Sequence, residues 1–286
     1  MQPHSRAGRV TGLSAYVCGI GLLGPGLDDW LSGASVLAGV TPYTPRATVL
    51  PAPAALPAAE RRRTGVVVRL ALAIGFEATA RAGVNPAELP TVFSSSGGEG
   101  ENCHEICQTL ATGDRQLSPT RFHNSVHNAA SGYWSIAAGA TPASSVLCAF
   151  DASFGAGLLE ALTQVVVEQT AVLLVAYDSG YPEPLRAVRP IPEAFGVAMV
   201  LAPVLAPQAA APAAATPIAA RNILTVTLTD APAESMADAR LEALRSTIPA
   251  ARSLPLLSKL ARQESGRVVI DYLETQRIAI EVSPWH

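Results

Sequence analysis

Two cysteines and two histidines stand at a spacing that could bind a metal. Cys103 and Cys107 form a C-x3-C pair, and fifteen residues later His123 and His127 form an H-x3-H pair. Thiolates and imidazoles at such intervals are typical of zinc fingers. Both cysteines fall inside a predicted helix, and a chain this apolar does not need zinc in order to fold. We therefore predict no metal site and expect the two cysteines on a partly buried helix face.

A second place for chemistry is a strand that delivers an acidic residue to the start of a helix. The strand SSVLCAF leads to Asp151, which opens the small-residue helix DASFGAGLLEA. Many α/β enzymes carry a nucleophile at such an elbow, because helix amides there stabilise a developing negative charge. Cys148 lies three residues earlier, and we expect the strand to point its thiol away from the mouth of a pocket.

The elements that position these residues alternate between apolar strands and helices. TAVLLVAYD and SSVLCAF read as strands buried on both faces, and apolar residues at helical spacing predict one long helix over Ala58–Gly83. We also predict strands in LSAYVCGIG, TVFSSSGG, Phe195–Leu201 and NILTVTLTD, helices in DDWLSGASVLAG, Glu99–Leu110, His127–Ala138, Ser153–Glu168, Ala237–Leu244 and Leu254–Gln263, and a polar loop in GDRQLSPTRFHNS. This pattern predicts an α/β fold with helices on both faces of the sheet.

The composition changes once along the chain. APVLAPQAAAPAAATPIAA is almost entirely alanine and proline, and its prolines exclude a long helix. We predict an N-terminal part over residues 1–203, a linker or surface crossing over 204–220, and a short C-terminal α+β segment over 221–286, packed on the same domain. This last segment closes with the hairpin RVVIDYLETQRIAIEV.

Charge and composition exclude several function classes. The chain has 286 residues, 15 % of them charged, a net charge of −3 and 5 % aromatic residues, which disfavours nucleic-acid binding. Four cysteines in this length do not make a disulfide framework, and we expect a reduced, cytoplasmic protein. No apolar stretch reaches the ~20 uninterrupted residues of a membrane span. Lys259 is the single lysine, so almost no catalytic role is left for that residue type.

Several stretches occur in an order found in one enzyme family. They are SSSGGEGEN, LSPTRFHNSVHNAASGYWSIAAG, SSVLCAFDASFGAGLLEA, AVLLVAYDS and FGVAMVLAP. With the Ser-Pro loop, the N-x3-G of Asn128 and Gly132, and Gly139, the chain resembles the first half of a β-ketoacyl synthase. The resemblance implies an α/β, thiolase-like layered fold, with the N-terminal half well matched and the C-terminal half abbreviated.

The resemblance also implies that the catalytic groups are missing. In that family the condensing cysteine stands at the tip of the elbow, where this chain has Asp151. The family's two catalytic histidines and one lysine lie in the second half of its chains. In this sequence, Lys259 and His286 are the only lysine and histidine after Asp151. The chain is thus similar to the chain-length-factor subunits of type II polyketide pathways, and HNS-x-x-N-A-A-S-G-Y-W resembles the short class from aryl polyene pigment clusters. Such a subunit is a non-catalytic partner that shapes the acyl tunnel and needs no cofactor.

Three roles remain open for Asp151: a helix cap, an interface group, or an aid to decarboxylation. We favour the cap, because an aspartate at a helix start accepts amide hydrogen bonds. His123 and His127 lie beside no identified nucleophile, so we expect them to hydrogen-bond the loop and the interface rather than act as general bases.

The resemblance also indicates which residues would meet a partner. In two-fold ketosynthase dimers the strand before the elbow, here Ser144–Phe150, pairs with its counterpart, and the loop Leu117–Ser125 reaches into the neighbour's acyl pocket. The predicted tunnel and interface residues, including the helix face that begins at Ser96, are Ser96, Phe122, His123, Asn124, Ser125, His127, Asn128, Val146, Leu147 and Phe150. The expected partner is a β-ketoacyl synthase subunit, through which an acyl carrier protein would be engaged.

Two other functions compete with this one. The chain could be a hydrolase or decarboxylase that uses Asp151 or Cys148 with His123 or His127, or a stand-alone acyl-binding protein. The sequence shows no assembled pair of cysteine and histidine, which argues against the enzyme. The unpaired edge of an apolar strand argues against the stand-alone protein, because such an edge is a liability in a monomer.

Overall fold

The computed structural model describes residues 12–113, 115–204 and 222–284, and its strands form one eight-stranded sheet. The order across the sheet is β3-β2-β4-β5-β1-β6-β8-β7. The strands β2, β3 and β4 are parallel, and the other pairs are antiparallel. The strands are β1 Leu13–Leu23, β2 Thr91–Ser94, β3 Ser144–Leu147, β4 Val172–Asp178, β5 Phe195–Pro203, β6 Asn222–Thr229, β7 Gly266–Ile270 and β8 Arg277–Pro284.

Helices cover both faces of this sheet, which confirms the predicted α/β class. They are α1 Trp30–Leu37, α2 Ala58–Arg61, α3 Val66–Ala82, α4 Gly100–Ala111, α5 Pro119–His123, α6 Ala129–Ala138, α7 Ser153–Glu168, α8 Leu185–Val188, α9 Ala239–Thr247 and α10 Leu254–Ala261. The helices α3 and α6 pack on one face, and α1, α7 and α10 pack on the other.

Alternate residues of the central strands enter two separate cores. In β4, Leu173 and Val175 pack with α3 and α6, whereas Val172 and Leu174 pack with α7. All seven residues of β4 are buried, as the absence of polar alternation predicts. The central strands therefore form a rigid frame, and the loops that follow them hold the candidate site.

The predicted helix over Ala58–Gly83 is interrupted. It consists of α2 and α3, which are separated by Arg62–Gly65. Glu99 causes the break: its Oε1 accepts a hydrogen bond of 2.7 Å from the amide of Val66, the first residue of α3. The other carboxylate oxygen lies 1.9 Å from the place that a Cβ on Gly65 would occupy. A carboxylate from a distant loop thus caps α3, and burial raises its pKa.

Other boundaries differ from the predictions for local reasons. The polar loop contains the short helix α5, because Ser118 caps it and Pro119 starts it. The strand β3 ends at Leu147 and is half-exposed rather than buried, because it is an edge strand of the described sheet and pairs there with β2 alone. The Ala/Pro stretch lies outside the described residues, apart from its first residues.

The segment after that stretch extends the same sheet. The strand β6 pairs with β1, and β8 and β7 follow as the predicted hairpin. A short 3-10 turn, Pro249–Ser253, lies against α7, β4 and β5. The division of the chain at residues 203 and 220 stays a prediction.

Among the residues that the structure describes, one helical stretch is long and apolar enough to cross a membrane. It covers Phe150–Glu168, and half of it is buried inside the fold. Leu158, Leu162 and Val165 of this stretch pack in the core beside β4. The central helix of a folded domain passes the same test, so the stretch is weak evidence for a span. The predicted lack of a span and the cytoplasmic location stay predictions.

Candidate functional site at the elbow

The elbow between β3 and α7 has the expected form of strand, sharp turn and helix. After Leu147 the chain makes a 3-10 turn over Phe150–Ala152, and α7 starts at Ser153. Phe150 has a left-handed backbone, with φ of +53°. Ser153 closes the turn: its hydroxyl donates to the carbonyl of Phe150 and accepts from the amide of Ala149.

The carboxylate of Asp151 does not cap the helix, so that prediction is wrong. One carboxylate oxygen accepts a hydrogen bond of 2.8 Å from Arg189, and the other accepts one of 3.1 Å from Arg252. Both guanidinium groups are largely buried, and Arg189 also lies 3.8 Å above the ring of Phe150. Asp151 thus joins the elbow to the loop after α8 and to the turn before α10. We call Asp151, Arg189 and Arg252 the elbow clamp.

Sequence reasoning missed both arginines of the elbow clamp. They stand 38 and 101 residues after Asp151, and no motif links positions so far apart. A faint signal exists in the composition, because all but one of the 20 basic residues are arginines, which can hold a carboxylate by paired hydrogen bonds.

Asp178, which was not predicted either, organises the loop behind the elbow. It ends β4 and is almost fully buried. Its Oδ1 accepts from the amide and the hydroxyl of Ser96, at 2.9 and 2.5 Å, and its Oδ2 accepts from the amide of Ala250 at 2.8 Å. Burial raises the pKa of this carboxyl to about 6, against the opposing effect of these hydrogen bonds. The sequence did contain one indication of Asp178, since it is an acidic residue at the end of an otherwise apolar strand.

The thiol and the histidines of the competing enzyme hypothesis have other partners. Cys148 is exposed, and its Sγ points to the carbonyl of Ser96 at 3.3 Å. His127 contacts the carbonyl of Ser95 through Nε2 at 3.2 Å, and His123 lies edge-on to Tyr133. Across the described ranges, no hydrogen bond joins either histidine to Cys148 or to Asp151.

The expected burial of Cys103 and Cys107 is wrong. Both are exposed on α4. The buried residue of that helix is Gly100, at its first position. Partial desolvation and the neighbouring thiol of Cys107 raise the pKa of Cys103. Within residues 12–113, 115–204 and 222–284, no group of three or more histidine, cysteine, aspartate or glutamate side chains is placed to hold a metal ion.

The remaining predicted residues differ in exposure. Ser96 is buried by its bonds to Asp178, and Asn124 is buried between the carbonyl of Arg63 and the hydroxyl of Tyr133. Exposed to solvent are Phe122, Ser125, Asn128 and Phe150, and half-buried on the edge strand are Val146 and Leu147. Two exposed sets result, one around α5 and one along β3 and the elbow.

Comparison with known proteins decides the family. A family model described as "Beta-ketoacyl synthase, N-terminal domain" matches residues 38–254, which is most of the chain. The chain belongs to this family. The match includes α9, so the relationship of this ketosynthase-like chain to the family continues beyond the Ala/Pro stretch. No curated protein sequence matches the chain.

Solved structures show the same fold. The ketosynthase-like chain is similar to a chain in the complex of the ketosynthase ApeO with its chain length factor ApeC from Xenorhabdus doucetiae, with 24% identity, TM-score 0.69, and coverage of 94% of this chain and 99% of the other. It is also similar to the ishigamide ketosynthase/chain length factor, with 13% identity, TM-score 0.66, and coverage of 96% and 100%.

A third similar structure is the AntDE:AntF complex, a type II polyketide synthase acyl-carrier protein with its ketosynthase bound to the hexaketide. Here the identity is 9%, the TM-score 0.70, and the coverage 95% and 99%. At these identities the likeness concerns the fold, and it confirms the predicted thiolase-like layered architecture.

Proposed function

We propose that this chain is a non-catalytic, chain-length-factor-like subunit that pairs with a β-ketoacyl-ACP synthase in type II fatty acid or polyketide biosynthesis, of the aryl polyene pigment kind. In this proposal the active thiol belongs to the partner, and the present chain shapes the acyl tunnel. The acyl carrier protein is engaged through the partner.

The elbow clamp is the observation that carries the proposal. The resemblance implies that Asp151 stands where the family carries its nucleophile, and two arginines already bind this carboxylate. A carboxylate held by two cations is a poor nucleophile toward a thioester, because its lone pairs are engaged. Within the described residues, no thiol with a histidine base replaces it.

The turn beside the elbow is closely packed. Pro249, Ala250 and Ser253 of this 3-10 turn are buried against the elbow side of the sheet. Two cavities in the described ranges, of about 400 and 180 Å³, lie beside Ala52 and Arg69. In our proposal the partner subunit contributes walls to the acyl tunnel.

The edge strand β3 supports the partner role. Among the described strands it pairs with β2 alone, and its outer edge faces away from the described sheet, where another chain could pair with it. One of the similar solved chains comes from a complex of a ketosynthase with its chain length factor, and this is why a ketosynthase is the partner we propose.

Product length tests the proposed role. Ser125 is exposed, and its hydroxyl donates to the carbonyl of Phe122, three residues earlier. Ser125→Phe in the complex should shorten the product without loss of the partner. Ser246 makes the same local bond to Ala243 on α9, so Ser246→Phe is the matched control and should leave the product unchanged. Ser96 is unsuitable for this test, because Asp178 and the packed loop leave it no space.

Three results would contradict the proposal. The first is a ketosynthase that makes product of unchanged length with and without this chain. The second is turnover of an acyl thioester by this chain alone, which would favour a hydrolase or decarboxylase. The third is tight binding of an acyl chain by the isolated subunit, which would favour a stand-alone acyl-binding protein.

A further inference from the structure

Phe150 has a strained backbone conformation, and its side chain gains little burial within its own chain in return. Its backbone is left-handed, which is a rare and strained state for a bulky residue. Its side chain is 62% exposed, so it buries little apolar area in the fold. Because Phe150 is strained, exposed and part of the elbow turn, we looked for its role in contacts outside the isolated chain.

Other left-handed positions in the chain show the usual solutions. Gly83 and Gly139 have this left-handed backbone at the ends of α3 and α6, where glycine is the usual residue. The non-glycine cases, apart from Phe150, are the polar residues Arg115, Gln169 and Gln263. Among the described residues, Phe150 is thus the one apolar side chain on such a backbone.

The elbow clamp supports the conformation of Phe150 through contacts inside its own chain. Asp151 holds Arg189, and the guanidinium group of Arg189 lies 3.8 Å above one face of the Phe150 ring. Arg252 anchors the opposite oxygen of Asp151 to the turn Pro249–Ser253, and Asp178 holds that turn through the amide of Ala250. Among the described residues, the Nε of Arg189 is buried and has no hydrogen-bond partner.

We propose that Phe150 is an anchor that inserts into an apolar pocket of the ketosynthase partner, and that the elbow clamp positions it. The inference rests on the proposed function and adds to it the side chain that holds the two subunits together. Phe150 lies three residues beyond the end of the edge strand β3, so it continues the surface where we place the ketosynthase. Aromatic residues, including phenylalanine, are enriched at protein interfaces, and a side chain that is already held in place loses less conformational entropy on binding.

Replacement by glycine separates an anchor from a structural residue. Glycine accepts the left-handed backbone without strain, so Phe150→Gly should leave the thermal unfolding midpoint of the complex-free chain unchanged or higher. The dissociation constant for the ketosynthase with which the chain co-purifies should rise by about 30-fold or more, as for other aromatic anchors. Leu31 is 70% exposed on α1 and serves as the control, because Leu31→Ala should change the constant by less than about 3-fold.

A double-mutant cycle tests the positioning role of Asp151. Asp151→Asn keeps the shape of the side chain but weakens its hold on Arg189 and Arg252. This variant should weaken the complex when Phe150 is present and have little further effect in the Phe150→Gly background, because it acts through the aromatic ring. Equal effects in both backgrounds would show that Asp151 contacts the partner by itself and would overturn the positioning role.

The possible outcomes distinguish the two proposals. If the wild-type chain binds no ketosynthase, the proposed function fails. If it binds one and Phe150→Gly binds within about 3-fold of it, the anchor is overturned while the partner role stands. A fall in the unfolding midpoint of Phe150→Gly, without weaker binding, would assign Phe150 to the fold of its own chain and would also overturn the anchor.

Discussion

At the scale of single residues, charge decides how the elbow and its loop are built. Two aspartates follow strands of the same sheet, and their surroundings differ. Asp151 is held by arginines, whereas Asp178 is buried among amides and hydroxyls with no cation hydrogen-bonded to it in the described ranges. Burial is therefore the largest influence on the carboxyl of Asp178, and its pKa rises to about 6.

This shift predicts a pH dependence of stability. A carboxyl with a raised pKa in the folded state binds its proton more tightly there, so its stabilising effect is complete below pH 3.8 and is lost as the pH rises through about 6. The free energy of unfolding by urea should therefore contain a contribution from Asp178 that is about 1 kcal/mol larger at pH 5 than at pH 7.

Asp178→Asn should remove that pH dependence. The asparagine retains an acceptor for Ser96 but sets an amide group against the amide of Ala250, so the variant should be less stable at both pH values. The quantity to compare is the difference between wild type and variant at pH 5 and at pH 7. A difference that grows with rising pH would contradict the assignment.

The elbow could be predicted from the sequence, but the partners of its carboxylate could not. The elbow and Asp151 were predictable, because a strand, a turn and a small-residue helix are contiguous in the chain. The ligands of that carboxylate were not, because Arg189 and Arg252 come from loops that only the folded sheet brings together. Whether the predicted tunnel residues line a tunnel stays a prediction.

At the scale of elements, most helices and strands could be predicted from apolar periodicity, and the break before α3 could not. Its cause is a long-range contact: Glu99 reaches the first amide of α3, and Gly65 leaves space for it. Local patterns carry no information on such a contact, so an unbroken helix was the natural prediction.

The interruption of the helix gives a test by a double-mutant cycle. Gly65 has ordinary extended dihedral angles, and the three atoms nearest to a Cβ built on it all belong to the carboxylate of Glu99, so overlap with this group disfavours alanine there. Gly65→Ala should lower the free energy of unfolding by about 1–3 kcal/mol. In a Glu99→Ala background, which itself removes a cap worth about 1 kcal/mol, the same change should have almost no effect.

Urea unfolding of the four proteins measures this coupling. Glu101→Ala is the control, because Glu101 lies two residues after Glu99 in the first turn of α4 and, among the described residues, accepts no hydrogen bond from α3. Additive effects of Gly65→Ala and Glu99→Ala would contradict the account of the break.

At the scale of the whole molecule, one sheet joins the N-terminal and C-terminal parts and ends at β3 on one side. The pairing of β1 with β6 was not predictable, because the two strands are separated by most of the chain. The α/β class and the family were predictable, because the apolar strands and the motifs between them follow one order along the sequence.

A charge on the edge strand tests its role in assembly. Val146 is half-buried in β3, and Val146→Lys should abolish co-purification with the ketosynthase, because an unpaired charge would be buried against the partner. Leu228 is exposed on β6, far across the sheet order, and Leu228→Lys should co-purify normally. Circular dichroism of both variants verifies that they fold. Normal co-purification of folded Val146→Lys would show that β3 is not the shared edge.

In the role that we propose, this chain accompanies a condensing enzyme and carries no acyl group itself. The most direct test is intact mass spectrometry of its complex with the ketosynthase after incubation with an acyl-loaded carrier protein. We predict an acyl adduct on the ketosynthase and an unmodified mass for this chain. A stable acyl adduct on this chain, whether at Cys148 or at Asp151, would contradict the account.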